Sequence, residues 1–313
     1  MFATVSTPTS LDLPDGVERT TIRTSRGSFA ALEAVPVPGV CERDAALLIP
    51  GYTGSKEDFL AILDQLAAAG RRVFAIDMRG QYETPGTDDP DGYSVSAVGS
   101  DILAVIRATG ARHVLGHSYG GLIAREAVLA KGRVDIGSLT LMSSGPGTLG
   151  GPRADELRAM LAALGVEGGD LPDKSRLQAG IAAIWQAHLE PQAVAEGVTG
   201  PVLAFLAKRM KRNDPNALVL VARYLLSAPD RTPDLARLSE IPMLVLYGEN
   251  DNAWSPRAQE NMARRLSARR VCIPGAAHSP AVEAPATTAS ALTVFWEAAE
   301  GKPTRPTAAS RSG

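Results

Sequence analysis

Apolar positions along the chain follow two rhythms. Short apolar runs at 46–51 (ALLIPG), 71–77 (RRVFAID), 112–118 (RHVLGHS), 138–144 (SLTLMSS), 242–248 (PMLVLYG) and 269–275 (RRVCIPG) read as buried strands. Between them apolar residues recur at helical spacing. In 55–70 these are Phe59, Leu60, Ile62, Leu63 and Leu66, with Ser55 as N-cap and Gly70 as the stop. Further helices are predicted over 95–109, 120–130, from Pro256, and over 280–297. Ahead of this alternation, 20–24 and 28–35 read as two strands joined by a Ser-Arg-Gly turn, a hairpin. Strands alternating with amphipathic helices predict an α/β fold: a mostly parallel sheet covered on both faces, with the hairpin adding antiparallel strands at one edge.

The alternation stops between about 150 and 234, where DELRAMLAALG, LQAGIAAIWQAHLE, VLAFLAKRMKR and ALVLVARYLLSA are all helical in spacing and composition. Ligands of open α/β sheets bind outside the carboxyl ends of the strands, so a helical block inserted between two strands is placed to act as a lid. The expected organisation is an α/β core at 1–149 and 235–300, a helical cap inserted at 150–234, and a disordered tail at 301–313 rich in Pro, Ser and Thr.

Composition narrows the function classes. The chain has 313 residues, 45% hydrophobic and 21% charged, with a formal net charge of -2. No basic block stands out, which argues against a nucleic-acid surface. The stretch MFATVSTPTSLDLPDG lacks the basic end and apolar core of a signal peptide, and no segment is apolar for long enough to span a bilayer. The cytoplasm is the expected compartment. Cys41 and Cys272 are isolated in sequence and are expected to be reduced, mostly buried thiols. No Cys/His spacing suits zinc, and neither a metal nor an organic cofactor is expected. The oligomeric state, monomer or homodimer, stays open.

The chemistry concentrates in VLGHSYGGLIAREA, residues 114–127, which begins as a strand, bends at glycines and continues as a helix. Gly116-His117-Ser118-Tyr119-Gly120 fits G-x-S-x-G, the turn that lifts a serine hydroxyl into a cleft beside helix N-terminal amides. A serine needs a base. Of the four histidines, His113 precedes a strand, His117 is expected to point away from the neighbouring serine, and His188 is expected on the surface of the helical block. His278, in the loop PGAAHSP after a late strand, is the best base. Asp251, in GENDNAWSP at the end of another strand, is the preferred carboxylate partner, ahead of Glu249 and Glu283. The order Ser118, Asp251, His278 matches one fold in particular. Donors for a tetrahedral oxyanion are expected from the backbone N–H of Tyr119 and, in the loop IPGYTGS, of Tyr52.

With IPGYTGSKEDF, AIDMRGQ, GHSYGG, GENDNAWSP and PGAAHSP together, the chain from about Cys41 to Glu297 resembles the capped serine hydrolases of the α/β-hydrolase fold, a group of esterases, lipases, lactonases and C–C bond hydrolases. The resemblance implies a triad of Ser118, Asp251 and His278 and an oxyanion hole from Tyr52 and Tyr119. Two departures stand out. Pro50-Gly51 occupies the place where many relatives have His-Gly. After Asp77-Met78-Arg79-Gly80 the chain reads Gln81-Tyr82-Glu83-Thr84, where relatives continue with Gly or His and then Ser. Asp77 and Arg79 are expected to be structural.

The expected activity is hydrolysis of a carboxylic ester, lactone or thioester of a small, largely apolar molecule through an acyl-enzyme. Trp185, Phe205, Met210, Tyr224 and Trp254 are candidates for the pocket wall. Two other readings stay open. One is C–C bond hydrolysis or aminopeptidase cleavage by the same triad; the second of these requires an acidic cluster, and Glu156, Glu190 and Glu196 do not look clustered in sequence. The other is a catalytically silent small-molecule binding protein.

Overall fold

The computed structural model describes residues 6–130 and 135–301. The chain opens with β1 (Val17–Thr24) and β2 (Gly27–Ala34), the expected hairpin, which precedes β3 (Arg43–Ile49). Then come α1 (Leu60–Ala68), β4 (Arg71–Ile76), α2 (Val95–Thr109), β5 (His113–His117), α3 (Tyr119–Leu129) and β6 (Ser138–Met142). A run of helices follows: α4 (Gly151–Leu164), α5 (Lys174–Ile184), α6 (Glu190–Ala195), α7 (Gly200–Arg212), α8 (Pro215–Leu225) and α9 (Thr232–Leu235). The sheet resumes with β7 (Met243–Gly248), α10 (Pro256–Arg265), β8 (Arg269–Ile273), α11 (Pro280–Glu283) and α12 (Pro285–Glu300).

The eight strands form one sheet in the order β1-β2-β4-β3-β5-β6-β7-β8. β1, β2 and β4 pair antiparallel, and every later pair is parallel, with Leu48 beside Leu115 and Leu141 beside Val245. This is the α/β-hydrolase fold. The strand order reverses at β3, so the loops after β3 and β5 meet at the switch point where such sheets bind ligands. The central strands β5, β6 and β7 are buried along their whole length, as continuous apolar runs demand. One face packs α2 and α3 through Ile102 and Leu122, and the same apolar cluster runs on into the α4–α8 helices through Leu161 and Leu206; the other face packs α1 and α12 through Leu63, Leu292 and Trp296.

Three expectations change. The helix over 55–70 starts as a 3-10 turn, Lys56–Phe59, and becomes α-helical only at Leu60, because the Lys56 backbone and ammonium are both drawn onto Asp77 (2.8 Å each). The helix over 280–297 is two helices. Pro285 has no N–H to donate and pushes Ala284 out of the helical region (φ -145°), which separates α11 from α12. Cys41 and Cys272 are both exposed, one in the loop before β3 and one on the edge strand β8, instead of buried. The tail predicted to be disordered lies outside the described residues except at Gly301.

Candidate active site

The serine turn is built by close approach. A Cβ on Gly116 would lie 2.2 Å from the Gly120 carbonyl oxygen, and one on Gly120 would lie 2.3 Å from that of Pro50, so only glycine lets α3 pack this tightly on β5 and β3. Ser118 itself sits at φ 54°, ψ -121°, a strained conformation for a residue with a side chain. Its N–H donates to the Met142 carbonyl (2.9 Å), and the Gly121 N–H donates back to its own carbonyl (2.9 Å). The turn is therefore held from both sides.

Loops from distant parts of the chain deliver the other groups. His278 Nε2 lies 3.0 Å from Ser118 Oγ, and His278 Nδ1 lies 2.9 Å from Asp251 Oδ1. Asp251 also accepts from the Ala253 N–H (3.0 Å) and from Gln259 Nε2 (2.8 Å). Burial opposes its charge, but the hydrogen bonds from His278, Ala253 and Gln259 hold its carboxyl below the ordinary carboxylate range. Nδ1–H of His278 thus faces an anion, and Nε2 is left to accept the serine proton. An imidazole fixed between a hydroxyl and a buried carboxylate can activate that hydroxyl.

The other histidines and carboxylates take different places. His117 turns onto the late loop: its Nε2 donates to the His278 carbonyl (2.7 Å), and the two rings lie 5.0 Å apart. Burial pushes its pKa down to about 3, so it stays neutral. His188 is exposed on the helical block, and His113 is buried at the amino end of β5. Glu249 accepts from Gly275 N–H (3.0 Å) and Glu283 from the N–H groups of Ser279 (2.8 Å) and Ala277, so both clamp the His278 loop.

A cavity of about 120 Å³ opens onto Ser118 and His278. Its wall is largely aliphatic, with Leu149 from the loop after β6 and Leu157, Met160, Ile181, Ile184, Leu189, Met210, Leu218 and Leu225 from the helical block. Polar groups reach it from Ser6, Asp58, Arg153 and Glu156, and the loop after β3 from Gly51, Tyr52, Thr53 and Gly54. Of the five expected wall residues, Met210 and Trp254 line the cavity. Trp254 is pinned by its indole N–H donating to Gly147 (3.2 Å). The other three are placed elsewhere. Trp185 is buried among the α5–α6 helices, Phe205 packs edge-on to Tyr82 (5.4 Å), and Tyr224 packs edge-on to Tyr119 (6.3 Å) with its hydroxyl near Arg125 (3.2 Å). Helical spacing marks an apolar face; Trp185 uses that face inside the block, while Phe205 and Tyr224 use it to seat the block on Tyr82 and Tyr119 of the core.

Side chains that the sequence did not single out complete the surroundings. Gln259 anchors Asp251, and Lys56 is buried against Asp77 (2.8 Å), Glu83 (2.8 Å) and Glu57 (3.0 Å) under the loop after β3. Burial opposes the Lys56 charge, but the three carboxylates outweigh it and hold its pKa above the ordinary lysine value. Tyr52 ties the same loop to α8, its hydroxyl donating to the Leu218 carbonyl (2.7 Å). Among the described residues, Asp44, His113 and Glu300 bring ligand-type atoms within 4.8 Å of one another. They lie at the amino ends of the strands, and Arg112 (2.7 Å to Asp44) and Arg71 (2.5 Å to Glu300) already neutralise the carboxylates, so this is an ion-pair cluster rather than a fitted cation site.

The sequence profile of the alpha/beta hydrolase family matches residues 46–291, the span that carries the sheet from within β3 to β8, the serine turn and both late loops. The chain belongs to that family, and the relatives it matches support a hydrolase. It is 30% identical over 262 residues, 82% of this chain and 94% of the relative, to a pimeloyl-[acyl-carrier protein] methyl ester esterase of Edwardsiella ictaluri (strain 93-146). A shorter match, 32% identical over 110 residues, spans 34% of this chain and only 41% of its relative, RutD of Variovorax paradoxus (strain S110). Among solved structures, the enol-lactonase from Burkholderia xenovorans LB400 superposes with a TM-score of 0.65 at 18% identity, covering 89% of this chain and 100% of that one. At such identity the likeness concerns the fold.

Proposed function

We propose that the chain is a serine hydrolase of carboxylic esters, lactones or thioesters of small, largely apolar molecules. The observation that carries this reading is the run of contacts from Ser118 Oγ to His278 (3.0 Å) to Asp251 (2.9 Å), facing an aliphatic cavity. Ser118 Oγ attacks the carbonyl carbon as His278 Nε2 takes its proton. Asp251 orients the ring and stabilises its cationic form. The N–H groups of Tyr52 and Tyr119 receive the oxyanion. His278 then protonates the leaving group, and water, activated by the same imidazole, releases the acid and restores Ser118. None of these steps calls for a metal or organic cofactor. The helices between β6 and β7 act as the cap over this site, and their aliphatic side chains hold the acyl group. A relative named as a methyl ester esterase favours ester cleavage over C–C cleavage. The two unpaired cysteines suit a reducing compartment, the cytoplasm.

Incubation with a fluorophosphonate probe, followed by mass spectrometry, tests the reading. Label is expected on Ser118 and absent from Ser118→Ala. Turnover of p-nitrophenyl esters is expected to fall by about 10⁴-fold or more in that variant. A folded wild-type protein that neither takes up a large and a small probe nor hydrolyses any ester, lactone or thioester overturns it.

A further inference from the structure

Gln81 stands where the sequence departs from its relatives, and its side chain reaches the loop after β3. It is 6% exposed. Its Oε1 accepts the Met78 N–H (2.9 Å), which fixes the other end of the amide as nitrogen. That Nε2 donates to the carbonyls of Gly51 (2.7 Å) and Tyr52 (3.2 Å). Its backbone is equally constrained: Gln81 N–H donates to Met78 (2.9 Å), and Thr84 N–H donates to Gln81 (2.8 Å). The turn is also moored to the helical block, through Tyr82 N–H to Asn213 Oδ1 (2.9 Å) and Asp214 N–H to the Gly80 carbonyl (2.8 Å).

A trans peptide is planar, and its C=O and N–H point in opposite directions. With the Gly51 carbonyl turned onto Gln81, the Tyr52 N–H points to the other side of that peptide. Gly51 lies against the nucleophile turn: a Cβ there would be 3.2 Å from Ser118 Cβ. The Gly51 carbonyl accepts one further, longer bond from the Gly54 N–H (3.2 Å), but a glycine pivots cheaply and nothing intrinsic to Gly51 prevents the reverse orientation, in which a carbonyl oxygen would face the place where negative charge develops. We infer that Gln81 is a positioning residue: its amide locks the Gly51–Tyr52 peptide with the Tyr52 N–H turned toward the Ser118 side. This inference rests on the acyl-transfer reading above, in which that N–H binds the oxyanion.

The test is Gln81→Met, which keeps length and shape but removes the donor. After active-site titration, kcat is expected to fall about 10- to 100-fold with KM within about twofold, and the fluorophosphonate capture rate to fall in proportion. A variant that keeps wild-type kcat per titrated site, and loses only thermal stability, overturns the assignment. A crystal structure of the variant decides it independently of turnover. A Gly51 carbonyl rotated toward Ser118 supports the role, and an unchanged loop refutes it. If Gln81→Met does not fold, Gln81→Glu retains the shape and the Met78 contact while placing an oxygen where the donor was, and the same readouts apply. Failure of the wild type to label or turn over counts against the acyl-transfer reading, and the loop conformation of the variant still judges Gln81.

Discussion

Asp251 can orient His278 only if its own carboxylate is held, and one of the groups that hold it is Gln259, fully buried on the first turn of α10. Its Nε2 donates both to Asp251 Oδ2 and to the Trp254 carbonyl, each at 2.8 Å. Replacing it with an apolar side chain of similar size, Gln259→Leu, removes a hydrogen bond to a charged group, worth about 1.5–3 kcal/mol. On the acyl-transfer reading kcat/KM is expected to drop at least about tenfold in Gln259→Leu, with Ser118 still labelled more slowly by the fluorophosphonate. Unchanged kinetics would show that the Ala253 N–H and His278 suffice to fix Asp251. The residue scale is also where sequence legibility divides most sharply. Ser118, Asp251 and His278 were legible because each sits at a strand end in a short pattern with a chemical reason. Gln81 and Gln259 were not, because an amide that braces a loop from another part of the chain leaves no spacing signal. The contact of His117 with the His278 loop was not legible either, because adjacency to Ser118 in sequence does not say which distant loop a ring will meet.

Between elements, the helical block is fastened to the core by a buried ion pair. Arg209 on α7 and Asp58 in the 3-10 turn before α1 meet at 2.7 Å, and they are 1% and 3% exposed. Arg209 also donates to the Ser6 carbonyl (2.5 Å), so α7, the core and the segment at Ser6 meet at one guanidinium beside the cavity. Arg209→Met would strand the Asp58 carboxylate without its partner, at a cost of about 3–5 kcal/mol, while the double replacement Arg209→Met with Asp58→Leu should recover much of it. Urea unfolding of both variants checks this; equal losses in the two would mean that packing, and not the charge, holds the block. The strand and helix alternation was legible from periodicity at this scale, since long periodic segments declare their type. Breaks inside helices were less so. The stretch LQAGIAAIWQAHLE, expected as one helix, loosens into a π turn at Trp185–Leu189, where the Glu190 N–H reaches back to the Trp185 carbonyl. Pro191 explains it: the ring has no N–H and would crowd the carbonyl four residues back, so the helix widens by one residue ahead of it. That consequence depends on tertiary packing keeping both halves helical, which periodicity does not report.

At the scale of the whole molecule, titratable groups gather at the end of the sheet remote from Ser118, and they set how the fold responds to acid. His113 is fully buried, stacked on Trp296 (5.4 Å between rings), with Nδ1 2.8 Å from Ser138 Oγ and Nε2 3.1 Å from Glu300 Oε1. The neutral ring with Nε2–H facing Glu300 satisfies both contacts. Burial pushes its pKa down from 6.5 to about 4. As pH falls from 6.5 toward 4 the unfolded chain binds a proton that the folded chain refuses, so stability is lost through that window. Glu300 acts lower. Although burial opposes its charge, Arg71 and His113 hold its pKa near 2 against an ordinary 4.5, so its contribution is complete above 4.5 and disappears toward 2. The cluster joins the end of α12 to β4, β5 and β6, so its loss should loosen the helix that covers one sheet face. The variant His113→Gln is expected to be less stable at pH 8. Its stability should nevertheless fall less steeply between pH 6.5 and 4, by a total of about 3 kcal/mol relative to wild type. Chemical denaturation across pH measures the difference in slope directly. Parallel curves for the two proteins would assign the acid response to other groups. If Ser118 labelling at pH 8 stays at its wild-type rate in the variant, the two ends of the sheet are energetically independent, and stability and chemistry in this hydrolase can be altered separately.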